Sequence, residues 1–163
     1  MDELSLTPEP WTLHLLGLIS PCLVIVGNLL GGIYTSMGVV FIWGVSPILD
    51  VVMGKSKIPR PPRESGTPFE TLLWCHGILH FIVLFTFFNF ANQESEVTFW
   101  LVTAAMSTGL SSGASAIVTA HELGHKKPRS PGWILARLLL FSVNYPHFTT
   151  EHNYVHHKWV ATE

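Results

Sequence analysis

What this chain has least of is charge. Lys, Arg, Asp and Glu make up 12% of its 163 residues, against roughly 25% in an average soluble domain. From Trp11 to Leu49 there is none at all. That scarcity excludes a disordered chain, which needs abundant charge and little hydrophobic surface. The formal net charge of -2 leaves no basic face for phosphates, so a nucleic-acid partner is excluded as well. Cysteine is equally sparse. Cys22 and Cys75 both fall inside apolar stretches without metal-ligand spacing. They read as small buried apolar residues, not as a disulfide framework. The first ten residues carry no Lys or Arg, so they do not form the basic start of a signal peptide.

What is abundant is hydrocarbon. Hydrophobic residues reach 48% and the mean hydropathy is +0.38, which points to lipid as the solvent. A bilayer core is crossed by about 20 apolar residues. The apolar run that starts at Trp11 and ends at Met53 is therefore too long for one crossing, and Gly31-Gly32 is the natural place for a turn. The expected fold is an all-α polytopic membrane bundle in one domain, 1–163. Its spans fall at 11–30, 33–53, 69–90 and 97–120. A proline-rich polar loop follows the second span, and a short polar turn at 91–96 follows the third. The apolar stretch 132–146 is short for a crossing and is expected to lie in the interface, with Arg137 reaching toward headgroups. All nine cations, Lys55, Lys57, Arg60, Arg63, Lys126, Lys127, Arg129, Arg137 and Lys158, then fall on one side. With the N-terminus inside, that is the positive-inside pattern. The pairs Gly27/Gly31 and Gly109/Gly113 have the small-xxx-small spacing that lets helices pack closely.

Nine histidines are the unusual feature. His121 and His125 are four apart and share a helix face. His152, His156 and His157 form a second group, with His157 about 100° round from His156 on an ideal helix. This spacing offers two ligands to one metal and one to a neighbour, and imidazole suits Fe, Zn and Cu. To share a site, both groups must lie on one membrane face. His14, His76, His80 and His147 lack such partners and read as ordinary satisfied histidines, with a supporting role open to His76 and His80. The string His121-Glu122-Leu123-Gly124-His125 also matches the zinc-protease pattern, in which Glu122 would be the general base. A single zinc site, however, leaves the His156-His157 doublet without a role.

His121-Glu122-Leu123-Gly124-His125-Lys126, followed by Glu151-His152-Asn153 and then His156-His157, resembles the integral-membrane alkane hydroxylases of the fatty acid desaturase/hydroxylase superfamily. Val160-Ala161-Thr162 and Ser46-Pro47-Ile48-Leu49-Asp50 resemble the same family. The resemblance implies a histidine-ligated di-iron site on the cytosolic membrane face, in an inner membrane or the endoplasmic reticulum. His121, His125, His152, His156 and His157 would be ligands, and Glu122 and Glu151 would orient imidazoles. It implies O2 insertion into a terminal C–H bond of an alkane or fatty acyl chain, with electrons from a rubredoxin-like carrier. Lys126, Lys127, Arg129 and Lys158 are candidates for docking that carrier, with headgroup anchoring as the alternative. The family carries further histidine motifs, so the chain is expected to be an N-terminal part with an incomplete iron-ligand set. The alternatives are a membrane zinc protease and a non-catalytic membrane remnant.

Overall fold

The computed structural model describes residues 7–8, 10–54, 60–61 and 64–160, apart from the side chains of Tyr154 and His157. Lys55, Lys57, Arg63 and the His157 imidazole thus lie outside the described residues. Four helices are long and apolar enough to cross a membrane: α1 (Trp11–Leu30), α2 (Gly32–Met53), α3 (Thr67–Ala91) and α4 (Phe99–Gly124). A shorter apolar helix, α5 (Pro131–Ser142), and a short turn of helix, α6 (Phe148–Glu151), complete the chain. No strand occurs among the described residues. The all-α polytopic bundle expected from composition is the fold found.

The turn between α1 and α2 falls on Gly31 and Gly32, whose φ values of 68° and 54° suit a residue without Cβ. Two prolines mark the irregular stretches. Pro21 cannot donate to the carbonyl one turn before it, and the chain N-terminal to it, Trp11–Leu18, is wound as a tighter 3₁₀ helix. Pro47 likewise follows a wide π-helical segment, Val40–Val45. The first turn of α4 begins at Phe99, two residues later than expected. Thr98 caps it by accepting from the Leu101 amide at 3.1 Å. At its other end α4 runs four residues further than expected and carries His121 on its last turn, with His125 as its C-cap. Ser130 caps α5 through the Trp133 amide at 3.3 Å. Asn144, at φ 58°, ends it, and the Tyr145 amide closes back on the Leu140 carbonyl at 2.8 Å. That is a Schellman closure with asparagine in the left-handed position, so α5 stops at Ser142 and not at 146.

Of the two glycine pairs, Gly27/Gly31 makes a close approach: a Cβ at Gly27 would fall 2.5 Å from the Tyr34 carbonyl oxygen of α2, and one at Gly31 3.1 Å from Phe90 Cε2 of α3. A Cβ at Gly109 or Gly113 would meet nothing within 4 Å, so that pair does no packing. A Cβ at Gly38 would instead fall 2.6 Å from Val24 Cγ2 and 2.7 Å from Ser107 Cβ. Gly38 is where α2 presses between α1 and α4. Beyond it, α2 is mostly exposed, including Trp43, Ile48, Val51 and Val52. Cys22 is exposed and Cys75 only half-buried, which corrects their reading as core residues: each sits on a flank that its neighbours leave open.

Candidate metal centre

A cluster of buried hydrophobic residues lies where α4 ends. Ala116, Ala120 and Leu123 of α4 meet Leu135, Ala136, Leu139 and Leu140 of α5, all buried, with Trp74, Tyr145 and Phe148 against them. This contact folds α5 back over the end of α4 and returns the chain to the same end of the bundle. Arg137 on α5 is half-buried. Its guanidinium donates to the Pro146 carbonyl at 3.2 Å and lies over the Trp133 ring at 4.8 Å, a cation–π placement. The start of α3 reaches this end too, where Lys126 pairs with Glu70 at 3.0 Å. The start of α1 joins it through His14, whose ring meets Phe69 edge-on at 5.1 Å.

The two histidine groups are thereby brought together. His121 projects from the last turn of α4 and His125 from the C-cap position just beyond it. His152 projects from the π-helical turn His152–His156 that continues α6. One ring nitrogen from each lies within 4.8 Å of those of the other two. His121 Nε2 is 2.7 Å from His152 Nε2 and 3.4 Å from His125 Nε2. Two bare nitrogen lone pairs repel at 2.7 Å, so a proton or a metal cation must sit between them. Imidazoles bound at roughly 2.0–2.1 Å to one ion, at right-angled to tetrahedral openings, lie about 2.9–3.4 Å apart. The 3.4 Å spacing sits at the top of that range and the 2.7 Å spacing just below it, all three nitrogens lying within 4.8 Å of one another, and an all-imidazole donor set suits iron, zinc or copper. The residues present therefore fit a metal ion.

Glu122 lies on the other side of His121, its carboxylate 3.3 Å from Nδ1. A carboxylate there holds the proton on Nδ1 and leaves Nε2 free to ligate. It also faces away from the converging nitrogens, which is the wrong side for a base acting on a metal-bound water. Asn153 donates to the Gly124 carbonyl at 3.4 Å and ties the second motif to the first.

The remaining expected site residues are placed less centrally. His156 stacks on His152 with ring centroids 5.2 Å apart and is not among the three converging groups. Glu151 has its carboxylate 3.9 Å from His147 Nε2, a histidine outside both motifs. Lys127 and Arg129 are exposed in the turn after α4, and Lys158 lies over the Trp159 ring at 5.0 Å. His76 and His80 are satisfied histidines of the bundle. His76 Nδ1 meets Ser115 Oγ at 2.7 Å and His80 Nε2 meets Ser142 Oγ at 2.8 Å. What the sequence reading missed is a cavity of about 580 Å³ bounded by Phe69, Leu72, Leu73, Val118 and Glu122, with His14 and His76 at its wall. No motif marks it, because its wall is assembled from three helices.

Comparison with known proteins bears on these motifs directly. Residues 95–163 match the fatty acid desaturase family model. The chain is 34% identical over 137 residues to an alkane 1-monooxygenase of Pseudomonas putida, covering 80% of this chain and 33% of that protein. It is 33% identical over 130 residues to alkane 1-monooxygenase 1 of Alcanivorax borkumensis, covering 76% of this chain and 32% of that protein. An alkane 1-monooxygenase of Acinetobacter baylyi is 28% identical over 163 residues, covering 90% of this chain and 40% of that protein. The chain thus spans about a third of the length of the first of these relatives. No solved structure matches it.

Proposed function

We propose that this chain, which matches the fatty acid desaturase family model over residues 95–163 and is similar to alkane 1-monooxygenases, forms part of a membrane monooxygenase acting on a linear alkane or acyl chain. The observation that carries this reading is the convergence of three imidazoles from two separate motifs at one end of an apolar four-helix bundle. The reaction would convert a terminal methyl group to a primary alcohol. One atom of O2 enters the C–H bond, and the other leaves as water with two electrons and two protons. Iron bound by histidines would supply the O2 chemistry, as a di-iron site in the complete protein.

His121, His125 and His152 would hold metal through Nε2, with His156 and His157 completing the set from the second motif. Glu122 would keep the His121 proton on Nδ1, fixing the ring's orientation and raising its basicity. The apolar cavity against Glu122 has the size of a small-ligand pocket, typically about 300–1,000 Å³. Its Phe69, Leu72, Leu73 and Val118 walls suit a hydrocarbon, with His14, His76, Ser115 and Thr119 as the polar part of the lining. The electrons would come from a rubredoxin-like carrier, and the histidine end of the bundle would face the cytosol, where such a carrier is available. The zinc-protease alternative is disfavoured by the placement of Glu122 on the Nδ1 side of His121.

The test is metal content and product together. Membranes carrying the complete reading frame should bind iron. With a reduced carrier they should turn a medium-chain n-alkane into its primary alcohol. Changing His121, His125 and His152 to Ala should remove both. One zinc per chain with peptide hydrolysis would overturn the reading, as would retained iron after loss of all three histidines.

A further inference from the structure

His152 is held in a column of rings. Phe148, His152 and His156 are spaced four apart. Phe148 stacks on His152 at 5.2 Å with 17° between the planes, and His156 does so at 5.2 Å with 18°. The imidazole is thus bracketed by a ring one turn before it and a ring one turn after. Phe148 also meets His121 edge-on at 6.1 Å and 73°. Among the described residues it is the one non-histidine ring in contact with imidazoles from both motifs. Its own position is fixed from behind by Tyr145 at 5.3 Å and by the α4–α5 core.

The helical turn that carries His152 is π-wound, with a looser ladder than an α-helix, and Asn153 ties it to α4 by a 3.4 Å bond. Nε2 of His152 lies 2.7 Å from His121 Nε2, and the plane in which the ring reaches it is nearly parallel to the Phe148 and His156 rings stacked on it. We infer that Phe148 is a positioning residue. It orients the His152 ring so that Nε2 points at His121 Nε2. Nothing in the histidine spacing assigns it this role. The orienting role rests on the metal-site reading above, whereas the stacking itself does not.

Two readouts separate the inference from that reading. The first needs no metal. In protein labelled with ¹³C at the histidine rings, stacking should give His152 a single Cε1–H resonance displaced upfield by its neighbours. In Phe148→Leu, which keeps apolar bulk without a ring, that resonance should move downfield and broaden. Phe148→Tyr should preserve it, and the His80 resonance should not change in either variant. The second readout is Co²⁺ titration of the protein in nanodiscs, followed by its d–d absorption. An aromatic contact of ordinary strength corresponds to about a three- to tenfold change in an equilibrium constant. Phe148→Leu should therefore weaken Co²⁺ binding by about that factor and alter the spectrum, and Phe148→Tyr should restore both. An unshifted, equally sharp His152 signal in Phe148→Leu would overturn the inference. Equal Co²⁺ affinity in wild type and His152→Ala would instead overturn the metal-site reading and leave the resonance test of stacking standing.

Discussion

Replacing Glu122 with glutamine tests whether its carboxylate serves His121 or serves the metal directly. The carboxylate lies 3.3 Å from His121 Nδ1. Glutamine keeps an acceptor oxygen of similar reach and removes the charge. A charge-assisted hydrogen bond is about twice as strong as a neutral one, and loss of such an outer partner typically costs 10–100-fold in metal affinity. Here the Glu122 side chain is 55% exposed, and water screens an exposed pair strongly. The low end applies, about tenfold, which equals ~1.4 kcal/mol. The assay is competition for Co²⁺ or Fe²⁺ between the purified protein and a chelator of known affinity, for wild type, Glu122→Gln, Glu122→Ala and His121→Ala. Glutamine should lie about tenfold below wild type, alanine somewhat lower, and His121→Ala far below both. A loss for Glu122→Gln as large as that for His121→Ala would make Glu122 a ligand and refute the reasoning. No loss at all in Glu122→Ala would refute it from the other side.

Two further outcomes follow from the packing and the charges. A Cβ at Gly77 would stand 2.9 Å from Leu135 Cδ2. Leu135 Cδ1 and Cγ also lie within 3.4 Å, and Leu135 is buried in the α4–α5 core, so Gly77→Ala should destabilise the α3–α5 contact at the low end of about 1–3 kcal/mol and Gly77→Leu at the high end, read by unfolding in mixed detergent micelles. Changing Lys126, Lys127, Arg129 and Lys158 together to Gln should slow reduction by an acidic carrier and flatten its dependence on salt. Stability should fall by no more than about 1 kcal/mol, because the Lys126–Glu70 pair is exposed; unchanged kinetics and salt dependence would assign these cations to headgroup anchoring.

The four spans, the turn at Gly31-Gly32 and the two histidine groups were legible in the sequence because each is a local property. Span length follows from bilayer thickness, a glycine pair marks positive φ, and i, i+4 spacing fixes a shared helix face. Helix ends were legible only to within a few residues. Caps such as Thr98 and Ser130 and the left-handed Asn144 decide them, and these side chains act only once the backbone has turned. The glycine pair Gly109/Gly113 and the two cysteines misled because composition says nothing of which face a neighbour covers. Contact across the bundle decides that, as at Gly38 between Val24 and Ser107. The sequence by itself determined a membrane bundle with imidazoles spaced for a metal. Only the tertiary structure decided that His152 meets His121 across 31 positions of chain, that Phe148 stacks against it, and that Glu122 faces Nδ1. Those relations depend on α5 folding back over the end of α4, and the Leu139 and Leu140 that bury Leu123 there lie outside both motifs.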